Sequence, residues 1–297
     1  MTAREQGFLL LTAFLGDPEC RPLTVAQFRD LTLRARGMKK PEQDRELTEA
    51  DIMALDCDRA FARRVIGLLS RTQQLQWYLE RGARRGCTPI TRISRQYPVR
   101  LRKQLGAEAP GVIWAKGDVS LLQGPAVALV GSRDLNPDNR EFARLVGKQA
   151  ALQGITLVSG HARGADRTAQ DSCLENGGAV ISVVSDELEK HTAHPNMLYL
   201  SEEGFDLAFS SHRALRRNRL IHSLGEKTFV AQCTLGRGGT WDGTRNNLRH
   251  GWSPVFCFRD GSDACRELEQ LGAAIIQPED LGNIEALHSV EMNFMDQ

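Results

Sequence analysis

The chain has 297 residues, of which 41% are hydrophobic and 25% are charged, and its formal net charge is +1. This length and hydrophobic share favour one large packed core with a smaller accessory domain, and they exclude a disordered chain. A net charge so close to zero also excludes nucleic-acid binding that is driven by overall charge alone.

The N-terminus and the cysteines indicate a cytoplasmic protein. The opening MTAREQGFLLLTAFLGDPEC has a short apolar run without a basic start or a small-residue cleavage site, which favours a first amphipathic helix over a signal peptide. No apolar stretch approaches the ~20 residues that cross a bilayer. Seven cysteines without a C-x-x-C pair favour free thiols in a reducing compartment over disulfides or a zinc ribbon.

Helical periodicity dominates residues 1–87 and predicts a small all-helical N-terminal domain of the SAM-like or helix-hairpin-like kind. Thr48 is expected to cap a short helix in ELTEADIMALD. The polar segment MKKPEQDRE is expected to be a loop. The other periodic segments are FLLLTAFLG, VAQFRDLTLRAR and RAFARRVIGLLSRTQQLQWYLERGARRG.

From residue 88 onwards, short apolar strands alternate with helices of about a dozen residues. This alternation predicts an α/β fold for residues 88–278, a Rossmann-like domain with a doubly wound, mostly parallel sheet. Residues 279–297 are then an acidic C-terminal tail. The segment between AVISVV and KTFVA is expected to be irregular. The predicted strands are PITRI, GVIWAKG, PAVALV, ITLV, AVISVV, KTFVA, PVFCF and AAII.

Charged residues are segregated along the chain. The stretch Arg81–Ala107 contains eight basic residues and no acid, and Leu207–Gly225 is a second stretch without acids. In contrast, Glu267–Gln297 contains seven acids and neither Lys nor Arg. This segregation indicates a polarised surface, although ordinary solvated faces would produce the same pattern.

Two glycine-containing turns follow predicted strands, and ligands of open parallel sheets bind beyond the carboxyl ends of the strands. After PAVALV, Gly131 permits close backbone approach, Ser132 supplies a hydroxyl, and Arg133 can bind a phosphate as a fork. After ITLV, the stretch SGHARGAD suggests a nest of N–H groups beside a cation, with Asp166 ordering the loop. Its candidate residues are Ser159, Gly160, Arg163 and Gly164.

A third stretch, HRALRRNRLIHSLGEKTFVAQ, places four arginines before a short apolar helix and the strand KTFVA. Its asparagine can fix a turn or hydrogen-bond a base edge. We expect one of Arg217 and Arg219 to pair with a distant acid inside the fold. The candidate residues of this stretch are Arg213, Arg216, Arg217, Asn218 and Arg219. Together, the three stretches predict a trough for a polyanion.

These stretches, in this order, resemble the DNA-processing protein A family (DprA/Smf), with its VGSR turn, SG-x-ARG-x-D-x-x-A loop and RNR-[IL]-I segment. The matching residues are Val130–Arg133, Ser159–Asp166 and Arg217–Ile221, and the likeness extends from Pro89 to Ile276. The resemblance implies a DNA-binding protein that is not an enzyme. It also implies a homodimer that protects single-stranded DNA and passes it to the RecA recombinase in recombination or DNA uptake.

The chain departs from the family pattern at several positions. Ala214 or Leu215 stands where many members have a phenylalanine that stacks on a base, and Gln170 replaces a histidine. Trp241 is a candidate replacement for the stacking ring. A winged-helix domain of many members is expected to be absent. These departures leave open a specialised role in phage defence or in the control of a toxin partner.

The family's GS-x-x-TA loop corresponds to GRGGTWDGT, which adds Gly238, Gly239 and Thr240 to the candidate site. Related Rossmann-like proteins include nucleotide sensors and nucleotide-hydrolysing phosphoribohydrolases, and both remain alternatives. The hydrolase is disfavoured because its PGG-x-GT-x-x-E glutamate has no counterpart here, and Asp242 is the only nearby acid. No cofactor is expected, because neither G-x-G-x-x-G nor a Walker A lysine follows the first strand. No G-x-S-x-G elbow supports a serine nucleophile. No metal is expected, because His191 and His194 lack a third ligand nearby.

Overall fold

The computed structural model describes residues 1–17, 19–36 and 45–288, so most of MKKPEQDRE and the end of the predicted acidic tail lie outside it. Among these residues, no helix is both long enough and apolar enough to span a bilayer. The helices are α1 (Ala3–Thr12), α2 (Val25–Ala35), α3 (Glu49–Met53), α4 (Arg59–Leu69), α5 (Thr72–Arg84), α6 (Val99–Leu105), α7 (Pro137–Leu152), α8 (Ala165–Glu175), α9 (Ser211–Leu224), α10 (Gly238–His250) and α11 (Asp263–Gln270).

The strands form one nine-stranded sheet in the order β1-β2-β6-β5-β4-β3-β7-β8-β9. They are β1 (Thr88–Thr91), β2 (Val112–Gly117), β3 (Ala126–Val130), β4 (Thr156–Ser159), β5 (Val180–Val183), β6 (Met197–Ser201), β7 (Thr228–Val230), β8 (Val255–Phe258) and β9 (Ala274–Ile276). Strands β3 to β9 pair in parallel, whereas β2 pairs antiparallel with β1 and β6. The predicted Rossmann-like α/β fold is confirmed.

Strand β3 shows why helices cover both faces of the sheet. Because successive side chains of a strand point to opposite faces, Val127 and Leu129 join the core under α7 and α8. Ala128 and Val130 join the opposite core, under α9 and α10. All four side chains are buried, which is typical of a central parallel strand. The chain extends from β3 to β6 on one side and then places β7 on the other side of β3.

The N-terminal helices share a core with the sheet. The ring of Tyr78 on α5 packs edge-on against Trp114 of β2, with ring centroids 5.2 Å apart, and contacts Phe205 at 4.5 Å. Its hydroxyl donates to Asp206 Oδ1 at 2.6 Å. The expected capping role of Thr48 is confirmed, because its side chain accepts the N–H of Asp51 at the start of α3. The domain boundary at residues 87 and 88 stays a prediction.

The segment between β5 and β7 is more regular than the sequence indicated. The prediction of an irregular segment was wrong, because Met197–Ser201 forms β6 between β5 and β2. The arginines of the third stretch do not precede a short helix, because α9 begins at Ser211 and includes them all. Ser210 caps this helix by accepting the N–H of Arg213 at 3.4 Å.

His222 of α9 is fully buried between the helix and the sheet. Its Nδ1 lies 3.2 Å from Asn247 Nδ2 and 3.3 Å from the hydroxyl of Thr228. Burial, helped by the nearby charge of Arg217, lowers the pKa of His222 to about 3. The imidazole is therefore neutral in the folded protein at neutral pH.

We predict that His222 makes the protein sensitive to acid. The imidazole of the unfolded chain binds a proton below its ordinary pKa of 6.5, whereas the folded state resists protonation down to about pH 3. Stability is therefore lost as pH falls through this window, by about 2 kcal/mol between pH 6.5 and pH 5. Denaturant unfolding of the wild type and of His222→Gln at both pH values measures this; an equal loss in the two proteins would contradict the assignment.

Candidate nucleic-acid interface

A cleft of about 450 Å³ lies at the carboxyl ends of β3 and β7, where the strand order reverses. We call it the switch-point cleft. Open α/β sheets bind ligands at this position because the loops that follow the two strands diverge there. Residues that line the cleft include Gly131, Ser132, Arg133, Ala162, Asp166, Ala214, Leu215, Arg217, Asn218, Arg237, Gly238, Gly239 and Thr240.

The turns after β3 and β4 pack directly on each other. A Cβ at Gly131 would overlap the Cβ of Ala165 at the start of α8. Gly164 has a φ of +87°, and a Cβ there would overlap the carbonyl oxygens of Ser132 and Arg133. The N–H of Ala165 donates to Ser132 O at 3.0 Å. These two glycines therefore permit the close approach of the turns.

Polar groups of both predicted turns are used inside the fold. The N–H of Ser132 donates to Gln232 O at 2.8 Å, and the hydroxyl of Ser159 donates to Leu129 O at 3.0 Å. Asp166 accepts the N–H of Ala162 at 3.2 Å, so it orders the loop as expected. Ser159 is fully buried and is not among the residues that line the cleft, which corrects its place in the predicted trough.

Helix α10 directs its N-terminus into the cleft. In the part of the chain that the structure describes, no side chain caps this end of the helix. The first amide groups of a helix have no acceptor within the helix, and the helix dipole adds partial positive charge there. Asn218 Nδ2 donates to Gly239 O at 2.9 Å, and Thr240 Oγ1 donates to Gly131 O at 2.9 Å. The amides of Gly238 to Thr240 are thus held beside the turn after β3.

Two arginines on the cleft wall are free of internal carboxylates. Arg133 and Arg237 are exposed, and neither has an ion-pair partner among residues 1–17, 19–36 and 45–288. Arg163 lies outside the cleft lining and pairs with Asp134 at 2.8 Å, where both side chains are largely exposed. An exposed ion pair of this kind is weak, so a phosphate can compete for it.

Three of the predicted arginines are not brought into the cleft. Arg213 contacts Glu203 at 3.1 Å, and Arg216 contacts Glu202 at 3.1 Å and Glu203 at 3.0 Å. Arg219 contacts Glu202 at 2.5 Å. Both acids follow β6 directly, and the helical spacing of the three arginines turns them towards these acids. This corrects the prediction that all three join one trough, whereas the expected internal pairing of one of Arg217 and Arg219 is confirmed by the Arg219–Glu202 ion pair.

Arg217 lines the cleft, but its guanidinium is buried. Nη2 donates to Gly160 O at 2.8 Å, and Nη1 donates to Asn218 Oδ1 at 3.2 Å. A Cβ at Gly160 would overlap this guanidinium, so glycine is needed there. Burial raises the pKa of the Asp166 carboxyl, while the charge of Arg217 opposes the rise. The charge of Arg217 therefore stabilises the carboxylate form of Asp166, and both residues line the cleft.

The stacking role suggested for Trp241 is wrong, because the indole is only 4% exposed and packs in the core. Sequence reasoning missed Arg237 and Phe209. Arg237 directly precedes the glycine pair that begins α10, and this position was the signal that could have found it. Phe209 is 55% exposed and lies just before α9, in a segment expected to be irregular.

Known proteins are similar to this chain in sequence and in fold. A sequence model of the family described as DNA recombination-mediator protein A matches residues 88–284. Protein Smf of Escherichia coli is 28% identical over 191 residues, which are 58% of this chain and 50% of that protein. DNA processing protein DprA of Streptococcus pneumoniae is 30% identical over 184 residues, 57% of this chain and 64% of that protein. The chain thus spans between half and two thirds of these curated relatives.

Two solved structures have the same fold. The X-ray structure of DNA processing protein A from Streptococcus pneumoniae has a TM-score of 0.66 at 23% identity, and covers 90% of this chain and 99% of its own. DNA processing protein A from Helicobacter pylori, studied for its single-stranded DNA binding mode, has a TM-score of 0.56 at 23% identity. The match covers 66% of this chain and 94% of that chain. With the family model covering residues 88–284, the chain belongs to the DNA recombination-mediator protein A family, also called DprA/Smf.

Proposed function

We propose that this protein binds single-stranded DNA by holding its phosphates in the switch-point cleft. The observation that carries the proposal is the N-terminus of α10, which faces a cleft with Arg133 and Arg237 on its wall. Among the described residues, no side chain caps this helix end and neither arginine has an ion-pair partner. A helix N-terminus binds phosphate through its free N–H groups and its dipole, and an arginine adds a charge-assisted fork. The residues that we assign to phosphate are Gly131, Ser132, Arg133, Arg237, Gly238, Gly239 and Thr240 in the cleft, and Arg163 beside it.

Supporting roles belong to the buried residues behind these contacts. Arg217, Gly160 and Gly164 hold the loop after β4 against the cleft, and Asn218 fixes the turn that begins α10. Arg213, Arg216 and Arg219 stabilise α9 against the acids that follow β6. We therefore assign the DNA contacts to fewer cations than the sequence contains in this region.

The cellular role that we propose is that of the family, which is DNA recombination or the uptake of DNA. We propose that the protein binds DNA without catalysing a reaction. Single-stranded DNA is described for the relative from Helicobacter pylori, and this supports the same ligand here. The proposal includes action as a homodimer that delivers strands to a RecA-type recombinase. A defence role with a toxin partner is the alternative for the biological context.

We predict that Arg133→Ala and Arg237→Ala each weaken the binding of single-stranded DNA by about tenfold, because a charge-assisted hydrogen bond to phosphate is lost. The loss is expected to be similar for all base sequences, because phosphate contacts do not read bases. Fluorescence anisotropy with labelled strands of different composition measures both effects.

The matched control for these variants is Arg216→Ala, which removes the same charge from a side chain that pairs with Glu202 and Glu203 outside the cleft. Its affinity for DNA is expected to stay within about twofold of the wild type. If Arg216→Ala weakened binding as strongly as Arg133→Ala, α9 rather than the switch-point cleft would carry the DNA.

We further predict a preference for single strands over duplex DNA and over free nucleotides. The affinity for a strand should fall by ~0.7 log unit per tenfold rise in salt for each phosphate that is neutralised. Arg133→Ala should reduce this slope by ~0.7. Titrations of a strand, a duplex and a mononucleotide at several salt concentrations measure these values. Tight mononucleotide binding without strand binding would favour a nucleotide sensor.

A further inference from the structure

A second pocket, of about 340 Å³, adjoins the switch-point cleft beyond the ends of β4 and β5. We call it the side pocket. Four residues line both the side pocket and the cleft, so a ligand can extend from one into the other. They are Arg133, Ala162, Ala214 and Arg217. Its volume lies at the lower end of the ~300–1,000 Å³ range of small-molecule pockets. Four further residues give it its chemistry: His161, Ser185, Asp186 and Phe209.

Asp186 lines the side pocket, and a series of side-chain contacts holds it in place. Its Oδ1 accepts a hydrogen bond from His191 Nε2 at 2.9 Å, and the ring of His191 stacks on Tyr199 at 4.8 Å. The bond from His191 lowers the pKa of Asp186, which is therefore a carboxylate at neutral pH. The Asp186 side chain is still 46% exposed, and Oδ2 has no side-chain partner among the described residues. A fixed carboxylate thus remains available to a ligand.

Aromatic rings border the same pocket. Phe209 presents a ring that is 55% exposed, and a base can stack on such a ring. His161 has a φ of 61°, a left-handed conformation that is uncommon outside glycine. The His161 ring is fixed by Gln170, whose Oε1 lies 2.7 Å from Nδ1, and by an edge contact with His191 at 5.2 Å. The side pocket therefore combines a flat apolar surface with a hydrogen-bond acceptor.

We propose that the side pocket binds a guanine base whose own or neighbouring phosphate lies in the switch-point cleft, with Asp186 accepting its N1–H and N2–H groups. A carboxylate only accepts hydrogen bonds, and its two oxygens have about four lone-pair sites, so the bond from His191 leaves room for both. The bases of a single strand expose their Watson–Crick edges to such contacts. Guanine is the base that presents two adjacent donors on this edge.

The other bases meet the carboxylate less favourably. Adenine and cytosine each present one amino donor beside a ring-nitrogen acceptor, which the Asp186 carboxylate repels. Thymine presents a single N–H between two carbonyl acceptors. The positive charges of Arg133, Arg163 and Arg217 around the pocket offset the repulsion between Asp186 and the phosphates. The side pocket therefore selects one base while the cleft holds the backbone.

This inference rests on the proposed binding of single strands, and its test separates the two. The full chain is titrated with a short oligothymidylate that carries one central dG, dA, dC or deoxyinosine. We expect the dG strand to bind about 5- to 100-fold more tightly than the dA, dC and all-dT strands. The deoxyinosine strand should be intermediate, because hypoxanthine keeps N1–H and lacks the N2 amino group.

Asp186→Asn should remove the preference for dG and leave the affinity for the all-dT strand unchanged or slightly higher, and that affinity also shows that the variant is folded. The matched control is Glu187→Gln, an equal change of charge at the next residue, whose side chain pairs with Lys190 at 2.7 Å and does not line the pocket. It should keep the preference for dG.

Two further outcomes distinguish the ligand sources. Competition by free GMP near the affinity of the dG strand, with loss of that competition in Asp186→Asn, would support a guanine site that also takes free nucleotides. Equal binding of all strands to the wild type, or a preference for dG that survives Asp186→Asn, would overturn the guanine assignment and leave strand binding intact. If no strand binds, the proposed function itself fails, whatever GMP does.

Discussion

The buried guanidinium of Arg217 is the contact on which the candidate site depends. It joins α9 to the loop after β4 through Gly160 O, lies near the buried Asp166, and reaches Asn218, which fixes the start of α10. Removing one partner of buried charges leaves the other uncompensated, which costs far more than losing a surface pair. Arg217 also lines both the switch-point cleft and the side pocket. This single buried cation therefore aligns α9, the loop after β4 and the start of α10, and it does not itself occupy a phosphate position.

The sequence predicted the fold well where its signals are local. Short apolar runs such as PAVALV and ITLV mark β3 and β4, and glycine marks the turns that follow them. Strand β6 was missed because MLYLS is a brief apolar run beside a polar loop, and its strand conformation depends on pairing with β5 and with β2, which lies far away in the sequence. Long-range pairing of this kind has no local signature.

The candidate site was predicted only in part for a similar reason. One internal ion pair was expected in the acid-free run of arginines, but Glu202 and Glu203, which precede that run, pair with three of the four. Arg213, Arg216 and Arg219 recur every third residue along α9, and Arg217, four residues after Arg213, borders the same stripe of the helix surface. Helical spacing alone therefore does not separate the arginines that pair with Glu202 and Glu203 from Arg217, because the acids that distinguish them lie outside the helix.

In the proposed binding mode, a chain with a net charge of +1 holds a polyanion with helix amide groups and few cations. If every arginine near the sheet ends were free, nonspecific attraction to phosphate would dominate, and the identity of the bases would matter little. Here most of those arginines form ion pairs within the protein. The amide groups of α10 and two exposed arginines are what the proposal assigns to the DNA backbone. Asp186 lies beside the cleft as a carboxylate that is partly exposed, whereas Asp166, which lines the cleft, is buried next to Arg217. In the proposed binding mode, the phosphate contacts contribute equally to the affinity for every strand, so a preference among bases comes only from the side pocket, as a difference between affinities.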